Sequence, residues 1–122
     1  FQIFQATRRN ENDPFAESKI LPNVNGGVCS SFPRLTADKL LMVFVHCPAK
    51  DEPLRLYLAA RTSNQADFGR PVDLGSMIND SVVSGPALSA DGLTLYYSSQ
   101  RAGGVGGVFD LWSATRKPKK KS

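Results

Sequence analysis

Leu56–Arg61 reads LYLAAR, and near-copies stand at Ile3–Arg8 (IFQATR) and Leu111–Arg116 (LWSATR). Each runs aliphatic, aromatic, variable, alanine, small, arginine. The three arginines are 53 and 55 residues apart, a spacing that marks an array of like supersecondary units. The intervals between the copies agree as well. Counted from its arginine, a phenylalanine follows by seven residues (Phe15, Phe68), a leucine by 13 (Leu21, Leu74) and a proline by 25 (Pro33, Pro86). Leu35 and Leu88 fall at 27, Asp38 and Asp91 at 30, Phe44 and Tyr97 at 36. Asn25 and Asn79 differ by one position, as a loop with a small shift allows.

Within each copy the pattern is that of strands. TADK (Thr36–Lys39) and SADG (Ser89–Gly92) place Asp in a tight turn, where its carboxylate can take a nearby backbone N–H. After the second turn, Leu93–Ser99 alternates, with Leu93, Leu95 and Tyr97 on one face and Thr94, Tyr96 and Ser98 on the other. After the first, LLMVFVH (Leu40–His46) is apolar on both faces, which requires cover on both sides. The next strand is the one ending in arginine, and shorter strands are expected around Ser18–Pro22 and Arg70–Leu74. No stretch carries apolar residues at helical spacing for three turns, so the predicted class is all-β. Four short antiparallel strands in a unit of about fifty residues is the arithmetic of a propeller blade.

The stretch PALSADGLTLYYSSQRAGGVGGVFDLWSATR (Pro86–Arg116) resembles the WD-like repeat of TolB-like β-propellers. The matching residues are Pro86, Ser89, Asp91, Gly92, Tyr97, Ser99, Arg101, Gly103, Gly104, Asp110, Leu111 and Trp112. The preceding copy keeps Pro33, Asp38 and Phe44 but has His46-Cys47-Pro48 in place of Ser99-Gln100-Arg101, and its loop Ala49–Pro53 has no glycine. The resemblance implies an incomplete propeller of four-stranded blades. Residues 1–22 would be the last strands of one blade, 23–75 a complete blade, 76–116 three strands of another, and 117–122 a disordered basic tail. A closed propeller has at least four blades, so the chain is expected to be a C-terminal fragment of a longer propeller or a unit that assembles with copies of itself.

Composition narrows the function classes. Hydrophobic residues make up 41% and charged residues 21% of the 122, as in ordinary globular domains. No apolar run approaches the roughly 18–20 residues of a membrane span. The net charge of +4 comes from Lys117, Lys119, Lys120 and Lys121; the rest of the chain has 11 basic and 11 acidic residues. A body that is neutral overall lacks the basic footprint that phosphate binding needs, so no nucleic-acid partner is expected.

The chemistry-bearing residues have structural readings. Gly103–Gly107 (GGVGG) lies between strands, with neither the following helix nor the Lys-Ser/Thr of a phosphate loop, and reads as a hairpin. His46 is the only histidine; there is no G-x-S-x-G elbow, and the adjacent Cys47 points to the opposite strand face. Asp80, Asp91 and Asp110 lack the spacing of a calcium loop. Cys29 and Cys47 resemble neither a zinc site nor a redox pair and either form one disulfide or stay reduced. Arg8, Arg61 and Arg116, with Arg101 closing another strand, are expected to bond a carboxylate or carbonyl of the next blade. Phe4, Tyr57 and Trp112 share one column and read as packing residues before a sugar-stacking platform. No catalytic residue, metal or cofactor is expected. The expected function is a non-enzymatic scaffold that binds a protein or peptide, outside the cytoplasm by family resemblance. An accessory part of a larger hydrolase or signalling enzyme, or a glycan-binding propeller, is the alternative.

Overall fold

The structure, a computed structural model, describes residues 1–50, 52–79, 81, 83–101 and 109–116. The hairpin expected at Gly103–Gly107, Asp80 and the lysine tail lie outside the described residues. Among those described there is no helix, and the strands form three small antiparallel sheets. Strands β1 (Phe4–Gln5) and β2 (Lys19–Ile20) make the first. Strands β3 (Cys29–Leu35), β4 (Leu41–Cys47), β5 (Arg55–Ala60) and β6 (Val72–Asp73) make the second, in that order. Strands β7 (Val83–Leu88), β8 (Thr94–Ser99) and β9 (Asp110–Thr115) make the third. The all-β class is therefore correct. The short strands are briefer than their sequence suggests, two residues each at β2 and β6.

The sheets are copies in register as well as in sequence. Phe4 pairs with Ile20 as Tyr57 pairs with Asp73. Ser31 faces Val45 as Ser84 faces Ser98, and both ladders then slip before resuming at Arg34↔Val43 and Ala87↔Tyr96. The slip centres on Phe32-Pro33 in one sheet and Gly85-Pro86 in the other, where Phe32 (φ 53°) and Gly85 (φ 55°) adopt the same left-handed backbone. Glycine takes that conformation freely, whereas a β-carbon is strained there.

The β3–β4 and β7–β8 turns repeat bond for bond. Asp38 Oδ1 accepts from Thr36 Oγ1 (2.6 Å) and Leu40 N–H (2.9 Å). Asp91 Oδ1 accepts from Ser89 Oγ (2.7 Å) and Leu93 N–H (3.0 Å). Lys39 (φ 65°) stands where the other turn has Gly92 (φ 74°). A carboxylate that accepts two such bonds is favoured in its charged form. The hydrogen bonds from Thr36 and Ser89, respectively, lead in holding Asp38 and Asp91 below the usual carboxylate range.

Strand β4 shows why an all-apolar strand fits here. Met42 and Phe44 point into one core with Ile3, Val24, Ala59 and Phe68. Val43 and Val45 point into another with Leu56, Val83, Leu95 and Tyr97. The four-stranded sheet is thus covered on both faces, by the first sheet on one side and the third on the other.

An asparagine ties each pair of neighbouring sheets. Asn25 Oδ1 accepts from Ile3 N–H and its Nδ2 donates to Ile3 C=O, both at 2.7 Å. Asn79 does the same for Leu56, at 2.8 and 3.0 Å. Ile3 and Leu56 occupy the same repeat position, buried among apolar side chains. The side-chain amide gives the N–H its acceptor and adds a second donor to a C=O that already takes Leu21 N–H (3.2 Å) at Ile3 and Leu74 N–H (3.1 Å) at Leu56.

Candidate interaction surface

Strand alternation assigns a face to every side chain of the third sheet. Leu95, Tyr97, Trp112 and Ala114 turn inward to the four-stranded sheet. Thr94, Tyr96, Ser98, Leu111, Ser113 and Thr115 therefore turn outward. The equivalent outward column of the four-stranded sheet is Leu41, Val43, Val45, Leu56, Leu58 and Ala60, apolar throughout. Four of the six positions have become hydroxyl residues at the outer face of the third sheet. Tyr96 (51% exposed) and Leu111 (83%) are left as apolar anchors among them. At the other end of the stack, Phe4 (57%) and Ile20 lie exposed on the first sheet. Phe4 is thus a surface residue, unlike Tyr57 and Trp112 of its column, which pack against the two cores.

Arg61 and Arg116 make their shorter hydrogen bonds within their own sheets. Arg61 Nε donates to Lys39 C=O, and Arg116 Nε to Gly92 C=O, both at 2.9 Å and both within the arginine's own sheet. The expectation of a bond to the next blade is corrected: the β5 and β9 ends lie beside their own sheet's turn, so the nearest orphan carbonyl is there. Arg61 also reaches Gln5 Oε1 of the first sheet, at 3.5 Å. The flat face of each guanidinium is used as well. Arg8 stacks over Phe15 (4.5 Å to the ring centre) and Arg61 over Phe68 (4.3 Å). The seven-residue interval between arginine and phenylalanine was visible in the sequence, but its role as a cation–π pair was not. Arg101 lies 5.1 Å from the Trp112 ring centre and donates to Tyr97 Oη (2.7 Å).

His46 meets Ser30, a pairing sequence reasoning missed because register alone brings them together. Ser30 Oγ donates to Val24 C=O (2.9 Å) and lies 2.8 Å from His46 Nδ1. With its proton committed to a carbonyl, the hydroxyl accepts from Nδ1–H. Ser30 is 1% exposed, so a substrate cannot reach its oxygen and the contact is structural. Burial pushes the His46 imidazole below its ordinary value and keeps it neutral.

The remaining candidates are dispersed. Cys29 and Cys47 are register partners and both are free; Cys47 Sγ turns to Ala49 C=O (3.0 Å). Asp91 is held in its turn and Asp110 begins β9, on opposite ends of the sheet's strands. Among the described residues no group of three or more His, Cys, Asp or Glu converges on a metal-sized space, and no helix is long and apolar enough to cross a membrane. Asp73 accepts from three neighbours. Burial raises its pKa, but Gly75 N–H, the Asn79 amide and Arg55 (3.0 Å) outweigh that and hold it below the ordinary range.

Two concavities lie between the elements. One, of about 660 Å3, runs between the first sheet and residues 64–67, with mixed polar and apolar walls. The other, of about 190 Å3, is apolar and lies between the second and third sheets. Compared with known proteins, the chain matches no family model, no curated protein and no solved structure.

Proposed function

We propose that the chain is a segment of an incomplete β-propeller, acting as a non-catalytic scaffold whose open outer face takes a protein or peptide partner. The observation that carries this is the outward column of the third sheet. Its interior counterpart is six apolar residues, whereas this face has two exposed apolar anchors, Tyr96 and Leu111, set among serine and threonine hydroxyls. Apolar anchors within a polar surround are the usual composition of a protein-binding surface. The hydroxyls keep the face wettable when it is unoccupied. The buried setting of Ser30 beside His46 supports a non-catalytic reading.

Static light scattering on the purified chain tests the scaffold reading, because both ends of the stack expose apolar side chains. Self-association is expected, and it should weaken in the Tyr96→Ser, Leu111→Ser double variant without loss of fold. A folded monomer that never associates would contradict it. Turnover of simple ester, peptide or glycoside substrates, abolished by His46→Gln, would replace it with an enzyme.

A further inference from the structure

We propose that Asn25 is a self-modification site. Attack by the Gly26 backbone nitrogen, with water as co-reactant, converts its carboxamide to a carboxylate. The product loosens the joint between the first and second sheets irreversibly.

Alone among the chain's asparagines, Asn25 is followed by glycine. Asparagine loses its amide when the next residue's backbone nitrogen attacks the side-chain carbonyl carbon. A side chain on that next residue hinders the approach, and glycine has none. The pair lies outside the strands, between β2 and β3. Gly26 is exposed, and a β-carbon built on it would meet nothing within 4 Å, so its backbone stands open to water. Among the described residues its N–H is given to no backbone acceptor. Asn79, the counterpart by repeat position, is followed by Asp80 and is only 9% exposed. The reactive pair is therefore built into one joint between sheets and not into the other.

The reaction balances with water alone. Gly26 N bonds to Asn25 Cγ as the Cγ–Nδ2 bond breaks, and Nδ2 leaves as ammonia with the Gly26 proton. A five-membered imide remains. Water then opens the ring at Cγ to give aspartate, or at the Asn25 backbone carbonyl to give isoaspartate, whose main chain runs through the former side chain.

The bracket on Ile3 sets the timing. Asn25 Oδ1 accepts from Ile3 N–H, and Nδ2 donates to Ile3 C=O (2.7 Å) and Leu21 C=O (2.9 Å). These bonds hold the leaving nitrogen on the first sheet, and ring closure gives both of its bonds up. The reaction thus runs when the joint opens, and its product opposes reclosure. A carboxylate has no proton to donate, so it turns a negative acceptor towards the carbonyls of Ile3 and Leu21. Isoaspartate also lengthens the main chain just before Gly27, where there is no slack. A β-carbon on Gly27 would lie 2.6 Å from Pro48 Cα and 2.7 Å from Cys47 C=O. The core of Ile3, Val24, Met42, Phe44, Ala59 and Phe68 lies behind this joint.

The test holds the purified chain at mildly alkaline pH and maps its peptides by mass at intervals. Exchange of an amide for an acid should appear at Asn25 ahead of Asn10, Asn12, Asn23 and Asn64, as two products that separate on chromatography. It should run about tenfold or more faster in urea, where the bracket is released, and Gly26→Ala should abolish it over the same interval. The modified chain is then isolated by its added negative charge and compared by amide hydrogen exchange. Leu21 and Val28, whose N–H groups bond Ile3 C=O and Cys47 C=O, should exchange about tenfold faster. Leu56, held by Asn79, should not change. Conversion spread evenly over the asparagines, a rate indifferent to urea or to Gly26→Ala, or unaltered exchange at Leu21 and Val28 in the modified chain would overturn the proposal.

Discussion

Asn79 holds Leu56 by both of its backbone polar groups, accepting from its N–H at 2.8 Å and donating to its C=O at 3.0 Å. The same bracket joins Asn25 to Ile3. An unpaired buried backbone group costs about 1–3 kcal/mol. Asn79→Ala strands the Leu56 N–H, while the Leu56 C=O keeps the Leu74 N–H at 3.1 Å, and should lower stability by about 1–3 kcal/mol in urea denaturation. Asn79→Asp should not rescue it, because a carboxylate cannot donate to Leu56 C=O and would face Asp73, the present acceptor of the amide at 2.8 Å. A loss below half a kcal/mol would mean that the bracket is idle.

Phe15 and Phe68 occupy one repeat position and stack on equivalent arginines, yet 60% of Phe15 is exposed and 2% of Phe68. Phe68→Ala should cost about 3–5 kcal/mol, the range for emptying a core aromatic site. Phe15→Ala should cost under about 1 kcal/mol, the worth of an exposed cation–π contact. Similar losses at the two positions would show that the first sheet is covered in solution.

The two Asp turns offer a test of backbone strain. Lys39 holds φ 65° where its counterpart is Gly92. Lys39→Gly should stabilise the chain by about 1 kcal/mol, the relief of a left-handed residue less the entropy glycine returns to the unfolded state. Gly92→Ala should destabilise by at least as much. Its added Cβ would come 3.1 Å from Thr36 Cγ2 and 3.2 Å from Leu41 Cδ1, both tight. Equilibrium melts of the two variants should move in opposite directions.

Acid should weaken the fold in two windows. His46 has a lowered folded pKa because burial opposes its charge. Its contribution is complete above the ordinary value of 6.5 and is lost as pH falls from there towards the folded value. Asp38 and Asp91 are lowered by bonds from Thr36 and Ser89, so their contribution is complete above 3.8 and lost below it. His46→Gln should flatten the first limb of a stability-against-pH curve, and Asp38→Asn with Asp91→Asn the second. A curve unchanged by these substitutions would assign the acid response to other groups.

Repeat and strand order were legible because they rest on local signals. The Asp turns, the alternation of Leu93–Ser99 and the doubly apolar β4 each state their own geometry. What stayed hidden depends on partners far apart in sequence. Ser30 meets His46 only through the β3–β4 register, and the arginine stacks only once strand ends have closed onto their own turns. The asparagine column was plain as a match, but nothing in a lone Asn says that a backbone 22 or 23 residues earlier will need its amide. The outer face of the third sheet was written in Thr94, Ser98, Ser113 and Thr115. Its meaning appears only against the apolar column of the preceding sheet.

The central claim is that this chain stacks antiparallel sheets face to face, the second and third built on one repeated register. Cross-strand Hα and amide contacts by NMR on the isotope-labelled chain test it most directly. The account predicts contacts pairing Phe44 with Tyr57 and Tyr97 with Trp112, together with inter-sheet contacts from Val43 and Val45 to Leu95 and Tyr97. Ladders whose registers differ between residues 29–60 and 83–115, or a β4 covered on one face alone, would contradict it.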